Sequence, residues 1–290
     1  MSLENRILKF TLPYITALSI LTGSALAQNP DSMYHFMLGN LYKNEGNLEC
    51  ATKNYYEAFN HDEKSSYLNN IIAETLIQQG KFELASFYLK NAIELDNEFL
   101  NAHRNMATIH ISNDDYKNAF KEVSFIISRN PNDSLALLFA GESKSKLKEL
   151  EEAKIYLKKV ITLEDPLEKH RTHKIFASQS LGNIYFTENK LDLAIEYLTL
   201  SNFLLDKDNP VDRSIKYHNL STITFSYYLT KDYKKAKECL DYLLVTINNE
   251  KEESIIPDIE VIQDFINENN LIDKIERAII EENLKNQKDK

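Results

Sequence analysis

The chain has 290 residues, of which 43% are hydrophobic and 27% charged, with only 6 Gly and 6 Pro. This apolar fraction is enough for a folded core, and the scarcity of Gly and Pro favours helices over turn-rich β architecture. Two cysteines cannot build a disulfide framework or a four-thiolate zinc site. A net charge of −10 repels phosphate backbones, so nucleic acid is excluded as an expected partner.

The first 27 residues have the pattern of a secretory signal peptide. Arg6 and Lys9 precede an apolar run, and residues 25–27 (Ala-Leu-Ala) provide the small-x-small motif at which such peptides are cleaved. The sequence therefore predicts export, to a bacterial periplasm or to the outside of the cell. Two alternatives stay open. Residues 10–27 are near the lower length limit of a retained membrane anchor, and they could also form an ordinary buried helix.

An internal repeat organises most of the remaining chain. Its marker is a series of alanines, spaced 34 residues apart at first and then 41 and 42 apart: Ala51, Ala85, Ala119, Ala153, Ala194 and Ala236. Twelve positions before each alanine the residue is small: Gly39, Ala73, Ala107, Gly141, Gly182 and Thr224. Four positions after each alanine it is large: Tyr55, Leu89, Val123, Leu157, Leu198 and Leu240. A period of this length indicates a stack of similar supersecondary units.

Each repeat predicts a helical hairpin. Around Ala85, the apolar residues Leu84, Tyr88 and Leu89 recur at helical spacing, and a second apolar stripe precedes the break at Gly80. Small residues at the two spaced columns allow the paired helices to approach closely. One hairpin cannot bury both of its faces, so neighbouring hairpins must stack.

These columns resemble the tetratricopeptide repeat family. Leu38-Gly39 with Tyr42, Ala51 and Tyr55 matches the pattern of that family, although the chain has no Trp at the start of its first helices. The resemblance implies an all-α fold, a right-handed α-solenoid of about six helical hairpins within residues 32–250. The expected units lie near residues 32–65, 66–99, 100–133, 134–174, 175–216 and 217–250.

Residues 251–290 are predicted to form capping helices and a polar tail. Ile259, Ile262 and Phe265 give one apolar stripe, and a second stripe begins at Ile272 and continues through Ile275. A terminal cap of this kind docks one apolar face on the last repeat and leaves the other face in water.

No catalytic, metal or cofactor motif stands out. The chain has no Gly-rich phosphate loop, Gly-x-Ser-x-Gly elbow or His-Glu-x-x-His pair. His170 and His173 could share a helix face, but they have no third ligand nearby, so no metal is expected. His103 and His110 occupy aromatic positions of the repeat and are expected to pack. The sequence predicts a protein that is not an enzyme and has no cofactor, with an accessory subunit of an enzyme complex as an alternative.

The family resemblance implies that the first helix of each hairpin lines a concave groove that receives a protein or peptide partner. Mapped position by position, the predicted groove residues are Phe36, Asn40, Asn70, Glu74, Arg104, Asn183, Phe186, Phe225 and Tyr228. Family members that grip a partner's C-terminal carboxylate need lysines where this chain has Phe36 and Asn101, so that clamp is not expected. The predicted function is a protein-binding scaffold, with an assembly factor for a pilus or secretion system as an alternative.

Overall fold

The computed structural model describes residues 29–164, 169–206, 208–250 and 253–288. Within these ranges the chain forms α-helices, one short 3-10 helix at Glu253–Ile255 and no strand. The helices are α1 (Pro30–Asn44), α2 (Leu48–His61), α3 (Ser66–Gln78), α4 (Phe82–Leu95), α5 (Leu100–Ser112), α6 (Tyr116–Arg129), α7 (Ser134–Lys146), α8 (Leu150–Thr162), α9 (Arg171–Thr187), α10 (Leu191–Leu204), α11 (Pro210–Leu229), α12 (Tyr233–Asn248), α13 (Ile256–Glu268) and α14 (Leu271–Lys288). The predicted signal peptide, residues 1–27, lies outside the described residues.

The helices form two compact units that divide after Pro131, with α1–α6 in unit 1 and α7–α14 in unit 2. In both units each odd-numbered helix packs along the helix that follows it. Within each unit the second helix of a pair contacts the first helix of the next pair as far as α10 with α11, and α12 contacts α14. In unit 2 the first helices also touch one another, α7 with α9, α9 with α11, and α11 with α13. The prediction of an all-α fold built from helical hairpins is confirmed.

The turn inside each pair has one recurring backbone conformation. One residue in every such turn has a positive φ, as Gly46 (77°) and Lys231 (65°) show, and the others are Gly80, Asp114, Lys148, Asn189 and Asn270. In the first six pairs the next residue donates its backbone N–H to a carbonyl five positions earlier, for example Asn47 to Tyr42 at 2.9 Å. This hydrogen bond satisfies a carbonyl that the helix end would otherwise leave open.

Close contact between paired helices depends on the small residues of the repeat. Ala51, Ala119 and Ala194 are fully buried. A Cβ atom added to Gly182 would lie 2.5 Å from Cγ of Leu198, which is closer than a methyl group can pack. Gly141 faces Leu157 in the same way. In these two hairpins, the small residue twelve positions before the repeat alanine is therefore in contact with the large residue four positions after it.

The C-terminal helices pack on the sixth pair. Ile259, Ile262 and Ile266 of α13 are buried in one cluster with Leu240 and Leu243 of α12. The first predicted stripe is confirmed, and the second is confirmed at Ile275 and wrong at its first residue. Leu271 and Ile275 of α14 are fully buried, whereas Ile272 is 38% exposed. Helix α14 begins at Leu271, so its buried stripe starts from that residue.

Candidate functional site

The recurring turn gives a common register for the first helices. Positions ten, six and three residues before the positive-φ residue share one side of a helix, because they are spaced by four and three residues. We call the surface that carries these positions the first-helix face. In unit 1 it consists of Phe36, Asn40 and Lys43 on α1, Asn70, Glu74 and Ile77 on α3, and Arg104, Thr108 and Ile111 on α5.

Polar side chains of the first-helix face in unit 1 are bonded to their neighbours. Lys43 forms an ion pair with Glu74 at 2.7 Å, which links α1 to α3. The Tyr55 hydroxyl donates a hydrogen bond of 2.8 Å to Asn40 Oδ1. Arg104 donates to the side chain of Asn101, one turn earlier on the same helix. A partner would have to compete with these internal contacts.

Asn70 requires a correction to the predicted groove. It is only 3% exposed, and its Oδ1 accepts a hydrogen bond of 2.9 Å from Asn105 of α5. A side chain this deeply buried offers no surface to a partner. Asn70 instead joins two successive first helices, because a buried amide must find a hydrogen-bond partner. The neighbouring ring of Phe36 is half-buried against Tyr67 and Tyr55.

Unit 2 presents aromatic rings on the same face. Phe186 of α9 and Phe225 of α11 have ring centroids 6.2 Å apart, and Phe225 also stacks on Tyr228 at 6.2 Å. All three rings are half-buried, while Asn183 beside Phe186 is exposed. Phe225 therefore contributes to packing and also keeps part of its ring accessible. The structure brings these four predicted residues together.

Helix α13 adds residues to this face that the sequence analysis did not assign to it. Phe265 packs edge-on against Phe225 with centroids 5.7 Å apart. Counting back from Asn270, the three register positions on α13 hold Glu260, Asp264 and Asn267, and all three are exposed. The dipeptide Asn269-Asn270 was the available sequence signal, because Asn readily adopts a positive φ at a helix end.

A further carboxylate lies on α7, which is the first of the four first helices of unit 2, as α13 is the last. Glu142 occupies the register position that Asn183 and Phe225 occupy on the next two first helices. Burial raises the pKa of the Glu142 carboxyl, and the positive charge of Lys146 opposes this effect. A positive charge placed beside this carboxyl would favour its charged form.

The histidines singled out in the sequence have local partners. The Nδ1 atoms of His170 and His173 lie 2.9 and 2.8 Å from the Ser134 hydroxyl, which ties the long connection before α9 to the start of α7. His103 is buried, with Nδ1 2.6 Å from Glu122 and Nε2 3.2 Å from the Asn97 carbonyl. Within the described ranges, no group of three or more His, Cys, Asp or Glu side chains is arranged to hold a metal.

Burial, the largest single effect on His103, lowers the pKa of its imidazole, but the hydrogen bonds to Glu122 and to the Asn97 carbonyl outweigh it and raise the pKa overall. Both acceptors lack a proton to give, so the arrangement favours the doubly protonated ring. The hydrogen bonds of His103 therefore link α5 to α6 and favour the protonated form of its ring.

The part of the chain that the structure describes contains no helix with both the length and the apolar character needed to cross a bilayer. Comparison with curated protein sequences gives no match. Residues 67–99 and 136–165 each match the tetratricopeptide repeat family.

Solved structures with low sequence identity share the fold. PilW, described as a widely conserved type IV pilus biogenesis factor, superimposes with a TM-score of 0.63 at 14% identity, over 80% of this chain and 99% of that chain. A tetratricopeptide repeat protein from Parabacteroides merdae gives 0.61 at 11% identity, over 87% and 92%. PilF from Pseudomonas aeruginosa gives 0.60 at 15% identity, over 76% and 93%. The chain therefore shares the helical-hairpin fold of these structures, and two of its segments match the tetratricopeptide repeat family.

Proposed function

We propose that the chain is a non-catalytic protein-interaction scaffold and that its first-helix face binds segments of partner proteins. The observation that carries this proposal is the group of half-exposed rings Phe186, Phe225 and Tyr228 beside the exposed Asn183. Apolar rings that stay accessible on a surface are typical of interaction sites, where aromatic residues supply much of the binding energy. The polar contacts of unit 1 make its face the less favourable of the two for a partner.

Site-specific crosslinking tests this proposal. A photoreactive amino acid at Asn183 should capture a defined protein in the native host, because the side chain is exposed beside the rings. The matched control is the same amino acid at Glu196, which is exposed on the second helix of the same pair. Equal capture from both positions, or none from Asn183, would contradict binding at the first-helix face.

A second candidate is a scaffold that acts in assembling an envelope machine such as a pilus or secretion system. The similarity to PilW, a type IV pilus biogenesis factor, supports it. The protein captured from Asn183 decides between the two, because this candidate requires a subunit of such a machine. Capture of an unrelated protein would be compatible with the general scaffold function and would contradict a role in assembling an envelope machine.

We also propose that the chain is exported after cleavage behind Ala27. The support is the charged start, the apolar run and the Ala-Leu-Ala motif of residues 25–27. Mass spectrometry of the protein purified from its host should find Gln28 as the first residue. A mature protein that still carries residues 1–27 would instead indicate a retained membrane anchor.

A further inference from the structure

The register positions of the first-helix face in unit 2 carry charge of one sign. Its twelve register positions hold Leu138, Glu142 and Ser145 on α7, Gln179, Asn183 and Phe186 on α9, Ser221, Phe225 and Tyr228 on α11, and Glu260, Asp264 and Asn267 on α13. Three of these residues are acidic, and none is Lys or Arg. Glu260 and Asp264 are exposed, and on α13 Glu268 follows them at the same helical spacing. The face is therefore apolar at its centre and acidic towards α13.

One row of the face has a carboxylate at each end, with an amide and an aromatic ring between them. The position six residues before each positive-φ residue holds Glu142, Asn183, Phe225 and Asp264 on four first helices that contact each other in order. Packed helices lie about 8–10 Å apart, so this row spans about 25–30 Å. An extended peptide advances about 3.3 Å per residue and needs about nine residues to cross it.

We propose, building on the function proposed above, that the partner segment is an extended cationic peptide with a large apolar side chain that packs on Phe186, Phe225 and Tyr228 and with Lys or Arg residues that pair with Glu260 and Asp264. The spacing of neighbouring helices places the first basic residue about three positions from the apolar anchor. A second basic residue at the other end of the segment lies opposite Glu142. The apolar anchor supplies affinity, and the carboxylates select the sign of the charge and the direction of the peptide.

The burial that raises the pKa of Glu142 is consistent with this arrangement. A cation brought next to that carboxyl stabilises its charged form and restores part of the solvation that burial removed. Lys146, one turn away on α7, accounts for only part of that compensation.

Binding of synthetic peptides to the full chain tests this inference. The probe has nine residues, a central Phe and two Lys at each end, and its matched control carries Glu in place of Lys. We expect the lysine peptide to bind at least about tenfold more tightly than the glutamate peptide at low salt, and the difference to shrink as salt screens the charges. A third peptide with Ala in place of Phe should bind weakly, because it lacks the anchor.

Charge reversal in the protein locates the site. The double variant Glu260→Lys with Asp264→Lys should weaken binding of the lysine peptide about tenfold. Its control, Glu281→Lys with Glu282→Lys, makes the same change in net charge at exposed positions of α14 and should bind like the wild type. All four positions are exposed, and circular dichroism melts verify that both variants are folded.

Equal binding of the lysine and glutamate peptides would overturn the inference, and so would equal losses in the two double variants. Crosslinking from Asn183 separates this failure from failure of the proposed scaffold function. A captured segment that is acidic or lacks an apolar anchor would refute the cationic partner and leave the scaffold function intact. No specific capture from Asn183 would refute both.

Discussion

The first-helix faces of unit 1 and unit 2 have the same backbone register and use it differently. In unit 1, Lys43 neutralises Glu74, and the amide of Asn70 is bonded to Asn105. In unit 2 the corresponding positions hold half-exposed rings and carboxylates such as Asp264. The repeat thus fixes helix packing through small and large residues between paired helices. The positions of the first-helix face are not fixed in this way and can carry either internal contacts or a binding surface.

The largest expected difference between the units comes from removing residues 251–290. This deletion takes away the buried Ile259, Ile262 and Leu271 and exposes Leu240 and Leu243 of α12. Each buried aliphatic side chain is worth about 1.5–3 kcal/mol, so unit 2 should lose several times that amount and aggregate. Unit 1 does not contain these contacts. Hydrogen exchange should show protection falling in α11 and α12 and staying unchanged in α3 and α4. Equal loss in both units would mean that the two do not behave separately.

Gly182→Ala should destabilise unit 2 by about 1–3 kcal/mol, because the new methyl group overlaps the buried side chain of Leu198. Ala73 and Ala107 occupy the same column in unit 1 and already carry a methyl group. Urea unfolding measures the loss. Leu198→Ala supplies the control: in that background Gly182→Ala should cost little, since the overlapping atoms are gone. An equal loss of stability from Gly182→Ala in the wild type and in the Leu198→Ala variant would show that the new methyl group does not overlap Leu198.

The His103 network should make unit 1 sensitive to pH. The folded-state pKa of His103 is raised, so its stabilisation is fully present below the unfolded value of about 6.5 and is lost as the pH rises through the folded value. Glu122→Gln should cost about 1–3 kcal/mol at pH 6 and less at pH 9. Hydrogen exchange of α5 and α6 at the two pH values measures this difference. Greater stability of α5 at the higher pH would contradict the assignment.

The smallest expected effect concerns the turns, where unit 1 uses Gly46 and Gly80 and unit 2 uses Lys148 and Lys231 at positive φ. A residue with a Cβ atom is strained in that conformation, so Lys231→Gly should stabilise unit 2 by about 0.5–1 kcal/mol. The reciprocal change Gly46→Lys should destabilise unit 1 by a similar amount. Thermal unfolding of both variants compares them, and shifts in the same direction would be inconsistent with the observed backbone.

The sequence was a good guide to the hairpins because their requirements are local. A small residue and a large one meet across each turn, as Gly182 and Leu198 do, and both were visible as columns. The partners of Asn70 and His103 were not predictable, because Asn105 and Glu122 meet them only after the chain folds. Such contacts leave no periodic signal in a sequence.

The contribution of α13 to the face was missed for a different reason. In the register of Asn270, the columns that hold small residues in the repeats hold Gln263 and Ile275. The alanine series therefore ends before these helices, although the turn between them has the same left-handed residue. The first-helix face therefore continues beyond the recognisable repeat, because the backbone conformation of the turn recurs where the pattern of small residues has ended.

The recurring turn also has a consequence for how fast the chain folds. In the first six pairs three residues separate the two helices, so contacts such as Gly39 with Tyr55 join positions that are close in sequence. Closing so short a loop costs little chain entropy, and proteins dominated by contacts of this kind reach the native state rapidly. We expect folding to begin inside single pairs and spread to their neighbours, so that an N-terminal pair can form while later pairs are still being synthesised.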